Sequence, residues 1–285
     1  MKTLTSIVCA AVAVGIGITL WPQPSITGSS QQLTNDSSAT ISSRDSELSE
    51  QLRLARMQCS KSAIDVFIDT IQEAISKSPK QKSLWHSLAE SYLERALQRT
   101  HLRGMAPGKP TFTTLPSDFR EDVKLGLEAA EKARAYGDES GELFRIEAAL
   151  MSQYITGVTT ALRWNSKIST ALESASTRIS NEPKLHVALG LRKLLAPTWF
   201  GHDPAKALEH FEIANKAEND ERPAVFAAMA SFLQKDKQKA THWLERATQI
   251  NPHNKFAQVV LNRLRSNEAE PFGRDVSQEE LAALH

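Results

Sequence analysis

The chain has 285 residues, a formal net charge of +1, 41% hydrophobic residues and two cysteines. The near-neutral balance argues against nucleic acid as the main partner, because phosphate binding needs a basic face. Two cysteines exclude a disulfide scaffold, and 12 Gly with 12 Pro exclude a fibrous chain.

At the N-terminus Met1 and Lys2 precede an apolar run over residues 7–21 that no charge interrupts. This is the pattern of a secretory signal, or of a short anchor spanning residues 3–21 if it is not cleaved. Thr27-Gly28-Ser29 is only a weak cleavage site, so both readings stay open. Cys9 lies inside the run rather than at its end, which argues against a lipidated cysteine. Under either reading residues 1–21 send the rest of the chain out of the cytoplasm, to a periplasmic or secreted location. Residues 22–46 are rich in Ser, Thr, Gln and Asn and nearly free of large apolar side chains. Such a segment buries too little to offset its ordering entropy and reads as a flexible linker.

From residue 47 to residue 264 apolar residues recur at three- and four-residue steps, as in Ile64, Phe67, Ile68, Ile71 and Ile75. Leu, Ala, Glu, Lys and Arg dominate, and alternating β-branched runs are absent, so the body is expected to be all-α. Pro and Gly clusters near Pro79, Pro107 to Pro116, Gly137, Pro183, Pro197 to Pro204, Pro223 and Pro252 mark the breaks between helices.

The pattern also repeats. Phe67, Ile71, Ala74 and Pro79 share their spacing with Gly126, Ala130, Ala133 and Asp138. Ala207, Phe211, Ala214 and Asn219 copy it, as do Ala240, Leu244, Ala247 and Pro252. A second signature precedes these, clearest in Trp85, Leu88, Ala89 and Tyr92. Together they resemble the tetratricopeptide repeat, a helix-turn-helix unit of about 34 residues. The resemblance implies a helical-repeat solenoid over residues 47–266, with about five units and a capping helix at residues 255–265. Residues 267–285 are left as a tail, with a short amphipathic end at residues 278–284. Glu147 stands where the repeat expects Leu, and two connections are stretched: residues 101–117 and 196–204. Both join the first helix of a unit to its second, so both belong on one edge. The first carries Met105 and Phe112, and the second Trp199, Phe200 and His202. Such loops are a usual place for function, although their aromatics can equally cap the core beneath.

No catalytic, metal-binding or cofactor-binding set appears. The histidines lack metal spacing, Cys59 has no evident partner, and there is no phosphate-binding or dinucleotide fingerprint. Asp203 before Pro204 reads as a helix cap. A non-catalytic binding surface remains. In the repeat family ligands contact the concave face made by the first helices. Carrying the register over selects Arg56, His86, Glu90 and Arg145 in a polar half, and Val187, Leu191, Leu194, Val225, Met229 and Phe232 in an apolar half. Those apolar residues can instead pack on neighbouring helices. The resemblance implies a scaffold for protein or peptide partners, and the apolar run places it, exported or membrane-tethered, at the cell envelope. The last helix ends in Arg263 and Arg265 before a charged tail, which reads as a solvated cap, so a monomer is expected. Residues 185–214 also resemble, locally, the T-component proteins associated with periplasmic transporters. That likeness implies the alternative of a carrier for a small apolar or organic-acid ligand. Sequence does not decide whether the repeats form an open superhelix or close on themselves.

Overall fold

A computed structural model describes residues 46–105, 107, 115–217 and 220–284. The apolar run, most of the linker and Phe112 lie outside them. The described residues form helices and no strands. They are α1 (46–57), α2 (Lys61–Lys77), α3 (Lys82–Arg99), α4 (Ser117–Ala135), α5 (Gly141–Ser152) and α6 (Val158–Ile179). There follow α7 (Pro183–Leu195), α8 (Pro204–Ala214), α9 (Arg222–Leu233), α10 (Lys237–Ile250), α11 (Lys255–Arg265) and α12 (Gln278–Ala282). None of these helices is long and apolar enough to cross a membrane.

Local chemistry sets the boundaries. Ser140, Asp203, Asp236 and Asn254 each accept a backbone N–H three residues on, at 3.2, 3.0, 2.8 and 3.0 Å, and so start α5, α8, α10 and α11. Pro183, Pro204 and Pro223 sit in first turns, where the missing N–H costs nothing. The expected cap at Asp203 is therefore present.

Odd-numbered helices pair with the even-numbered helices that follow them, and α3, α5, α7 and α9 also touch one another in succession. This is the arrangement of a tetratricopeptide-like array: α1 to α10 make five units and α11 covers the last. Small residues let the pairs approach. A Cβ at Gly190 of α7 would lie 2.5 Å from the Phe211 ring of α8, so only glycine admits that ring. The unexpected Glu147 pairs with Arg134 on α4, whose guanidinium lies 4.5 Å above the Phe144 ring.

Three apolar clusters fill the body. One joins α1 to α5 through residues such as Ile64, Leu84, Phe119 and Ile146. A small one joins α5, α6 and α7. The third joins α7 to α11. The tail belongs to the third cluster and is not a loose end. Arg263, expected to be part of a charged outer cap, is 3% exposed. Its guanidinium donates to Glu280 twice (2.7 Å each), to the carbonyls of Pro271 (2.9 Å) and Arg274 (3.0 Å), and to that of Asp275 (2.9 Å). That uses all five donors of an arginine. The turn so fixed lays Phe272 against Phe232, ring centroids 5.8 Å apart. It also meets the first long loop. Met105 N donates to Phe272 O (2.7 Å), Val276 N to Leu102 O (2.9 Å), and Gly104 N to Asp275 Oδ1 (2.9 Å). A Cβ at Gly104 would collide with the Arg274 backbone, so this crossing requires glycine.

Candidate protein-binding face

The first helices of successive units turn one face inward, and that face carries charge. From α1, Arg56 Nη1 donates to both oxygens of Glu221 (3.1 Å each), and its Nη2 lies 3.4 Å from Asp220. Both acids precede α9, 164 and 165 positions along the chain (220 − 56 and 221 − 56). Arg222, at the start of α9, donates to both oxygens of Glu94 on α3 (2.9 Å each) and to Asp220 (2.9 Å). Asn254, which caps α11, donates to Glu221 (3.2 Å). One turn earlier on α3, Glu90 receives Arg145 of α5 (2.9 Å) and Lys184 of α7 (2.8 Å). Arg145 also reaches Glu142 (2.5 Å). His86 Nδ1 and Asp138 Oδ2 are 2.7 Å apart, and Ser140 N donates to Asp138 Oδ1 (2.9 Å). Five first helices thus share one ion-pair network, and the first of them is joined to the fifth. The inner face closes on itself.

The network holds its charges firmly. Burial alone would raise the Glu90 carboxyl, but Lys184 and Arg145 outweigh it and hold the group well below the usual carboxylate range. Asp220 behaves alike: burial opposes, while Arg222 and Arg56 dominate. At Asp138 burial is overcome by the hydrogen bonds from His86 and Ser140. Burial also works against the charge on Arg222, yet Asp220 and Glu94 leave it far more basic than a free arginine. The innermost members, Arg56, Glu221, Glu90, Glu94 and Arg145, are buried. Lys184, Glu142, Arg222 and His86 keep part of their side chains in solvent.

The sequence-selected residues therefore divide. Arg56, His86, Glu90 and Arg145 come together in the network. Three residues of the apolar half require correction as a ligand lining. Leu194 is 0%, Val225 4% and Met229 1% exposed, all within the third core cluster. Leu191 and Phe232 pack on the same cluster half-buried, and Val187 is half-buried on α7. The physical reason is that α9 is enclosed by α8, α10, α7 and the tail, so its inward face has no open side. In the second long loop Phe200 is 40% exposed, His202 is half-buried, and the Trp199 side chain lies outside the described residues.

Lys184, Glu94, Asp138, Asp220, Glu221 and Arg222 were not selected from sequence. The acidic run before Pro223 carries the one available signal: charge of both signs at a helix start, beyond what capping needs. Cys59 sits in the left-handed turn closing α1 (φ 48°), not inside a helix. Burial raises its thiol, and its Sγ lies 3.6 Å from Asn251 Nδ2. A thiol held protonated is a poor nucleophile. Among the described residues no three His, Cys, Asp or Glu side chains form a metal-sized group.

No family model matches the chain, and no curated protein does. Solved structures do. The crystal structure of TTC0263, a thermophilic TPR protein of Thermus thermophilus, is 14% identical, with a TM-score of 0.54 over 77% of this chain and 99% of that one. That likeness shows the fold: a tetratricopeptide-like helical repeat. A weaker likeness is to YrrB, described as a TPR protein with an unusual peptide-binding site (15% identity, TM-score 0.37, 73% and 88% covered). Another is to pilF of Pseudomonas aeruginosa (14%, 0.43, 80% and 89%).

Proposed function

We propose that the protein is a non-catalytic scaffold, exported or membrane-tethered through residues 1–21, that holds a polar segment of a protein partner. The observation behind this reading is the inner network itself. Five first helices present fixed charges of both signs, and the half-exposed ones, Lys184, His86, Arg222 and Glu142, stand at its accessible margin. Groups already held in place lose little entropy on binding, so a charged segment that adds to these pairs from the solvent side incurs little ordering cost. A carrier for a small apolar ligand would need the apolar half as its lining, and Leu194, Val225 and Met229 of that half are core. The tail over α11 covers the last unit of the array, which favours a monomer.

Site-specific photo-crosslinking of the full chain in its native host tests this. A photoreactive residue at position 184 is expected to capture a discrete protein, and one at the outward Lys77 is expected to capture none. Lys184→Gln and His86→Gln together, read by co-purification, are expected to release that protein while the circular-dichroism melt stays cooperative. Equal labelling from positions 184 and 77 would reject the inner face as the binding site.

A further inference from the structure

We propose that the edge formed by the start of α6, the end of α7 and the loop into α8 docks on an anionic lipid surface. The inference adds a second membrane contact to the proposed tether and rests on that membrane location.

Helices α6 and α7 run antiparallel across the short turn at residues 180–182, and Arg192 Nη2 ties them by donating to Asn165 Oδ1 (3.1 Å) and Ser169 Oγ (2.6 Å). One turn beyond that tie on each helix stand Leu162, 64% exposed, and Leu195, 44% exposed, which places both at the same end. The chain then enters the loop that carries Phe200. Two backbone bonds tie the loop: Phe200 N donates to Pro197 O (2.8 Å) and Asp203 N to Lys193 O (3.0 Å). Ile155, just before α6, is exposed as well. Single exposed apolar residues are ordinary, but a group of large ones on one edge marks a surface that is covered in use.

Charge identifies the cover. No Asp or Glu occurs between Glu147 and Glu173, or between Glu182 and Asp203. These two stretches make up the edge, and they carry exposed Arg163 and Lys167 and half-buried Lys193. Asp203, which caps α8 and lies 4.0 Å from Lys206, closes the second stretch. The acids nearest Tyr154 from a neighbouring element are Glu121 and Glu128 of α4, and Lys124 lies 3.7 and 3.8 Å from them. Tyr154 stacks on Trp164 (5.1 Å between centroids), and Lys167 lies 5.2 Å from the Trp164 ring centroid. Exposed aliphatics, an amphipathic aromatic pair and an excess of cations along both stretches match an interface between acyl chains and acidic headgroups. A protein partner's polar rim would call for charges of both signs here.

Hydrogen exchange on the full chain tests this, bound to vesicles of phosphatidylcholine with and without phosphatidylglycerol. Slower exchange is expected at residues 155–163 and 194–201 on the anionic vesicles only. A variant with Leu195→Asn and Phe200→Ser is expected to lose that protection and keep its vesicle association through residues 1–21. In Arg163→Glu with Lys167→Glu the preference for anionic vesicles falls roughly tenfold or more. Equal exchange on both vesicle types overturns the proposal. So does protection that appears without lipid and grows with protein concentration, which would assign the edge to a second copy. Failure of the full chain to bind any vesicle would reject both the tether and the edge, whereas binding without protection of the edge would reject the edge alone.

Discussion

Equivalent positions on the first helices have opposite fates in the two halves of this array. Arg56, Glu90 and Arg145 face a shared interior and meet partners of opposite charge there. Val225 and Met229 occupy the corresponding face of α9 and are sealed in a core. The neighbours cause the difference. In the N-terminal half the inward face looks across to charged residues at the starts of α7 and α9. In the C-terminal half the tail folds back, and Phe272 with the 102–105 loop completes the cover. Repeat register predicts which residues point inward; it does not predict what stands opposite them.

The sharpest break of this contrast is Met229→Glu. A carboxylate at that core position has no partner, and the variant is expected to lose cooperative folding by circular dichroism. Lys184→Gln, on the inward face but partly exposed, is expected to keep a cooperative melting transition at a lower midpoint, because Glu90 retains Arg145. Next in size is Arg263→Ala, which leaves three backbone carbonyls without this donor and Glu280 with Arg274 and Ser277 as its remaining partners. A loss of about 2–4 kcal/mol in urea unfolding is expected, from the unmet buried carbonyls. Arg263→Lys recovers little of it, because an ammonium cannot reproduce five fixed donors.

Acid separates the halves further. The carboxyls of Glu90, Asp220 and Asp138 have folded pKa values below their unfolded ones of 4.5, 3.8 and 3.8. Their stabilisation is complete above the unfolded values and drains as pH falls toward the folded ones. The urea midpoint is expected to hold from about pH 7 to about pH 5 and then fall, faster than in a Glu90→Gln, Asp138→Asn variant. The smallest effect belongs to the outward pair Lys77 and Glu73 on α2, both largely in solvent. Lys77→Ala is expected to leave stability unchanged within error.

Much of this architecture was legible in the sequence. The all-helical class, the five paired units, the covering helix and the two long connections follow from apolar spacing, from small residues such as Gly190, and from Pro breaks. These signals are local, and local signals survive in one sequence. The site was half legible. Arg56, His86, Glu90 and Arg145 were found because register places them inward. Their partners Lys184, Asp220, Glu221 and Arg222 were not, because pairing between residues far apart in the chain leaves no periodic mark. The tail misled for the same reason: Arg263 looks like a solvated cap until Glu280 and the Pro271 carbonyl stand beside it.

The central claim is that the inner face closes, joining α1 to the start of α9. A double-mutant cycle on Arg56→Ala and Glu221→Ala, measured by urea unfolding of the full chain, tests it most directly. Direct pairing predicts a coupling of about 1–3 kcal/mol. Additive losses, with a coupling near zero, would mean that the two residues do not meet and that the array is open.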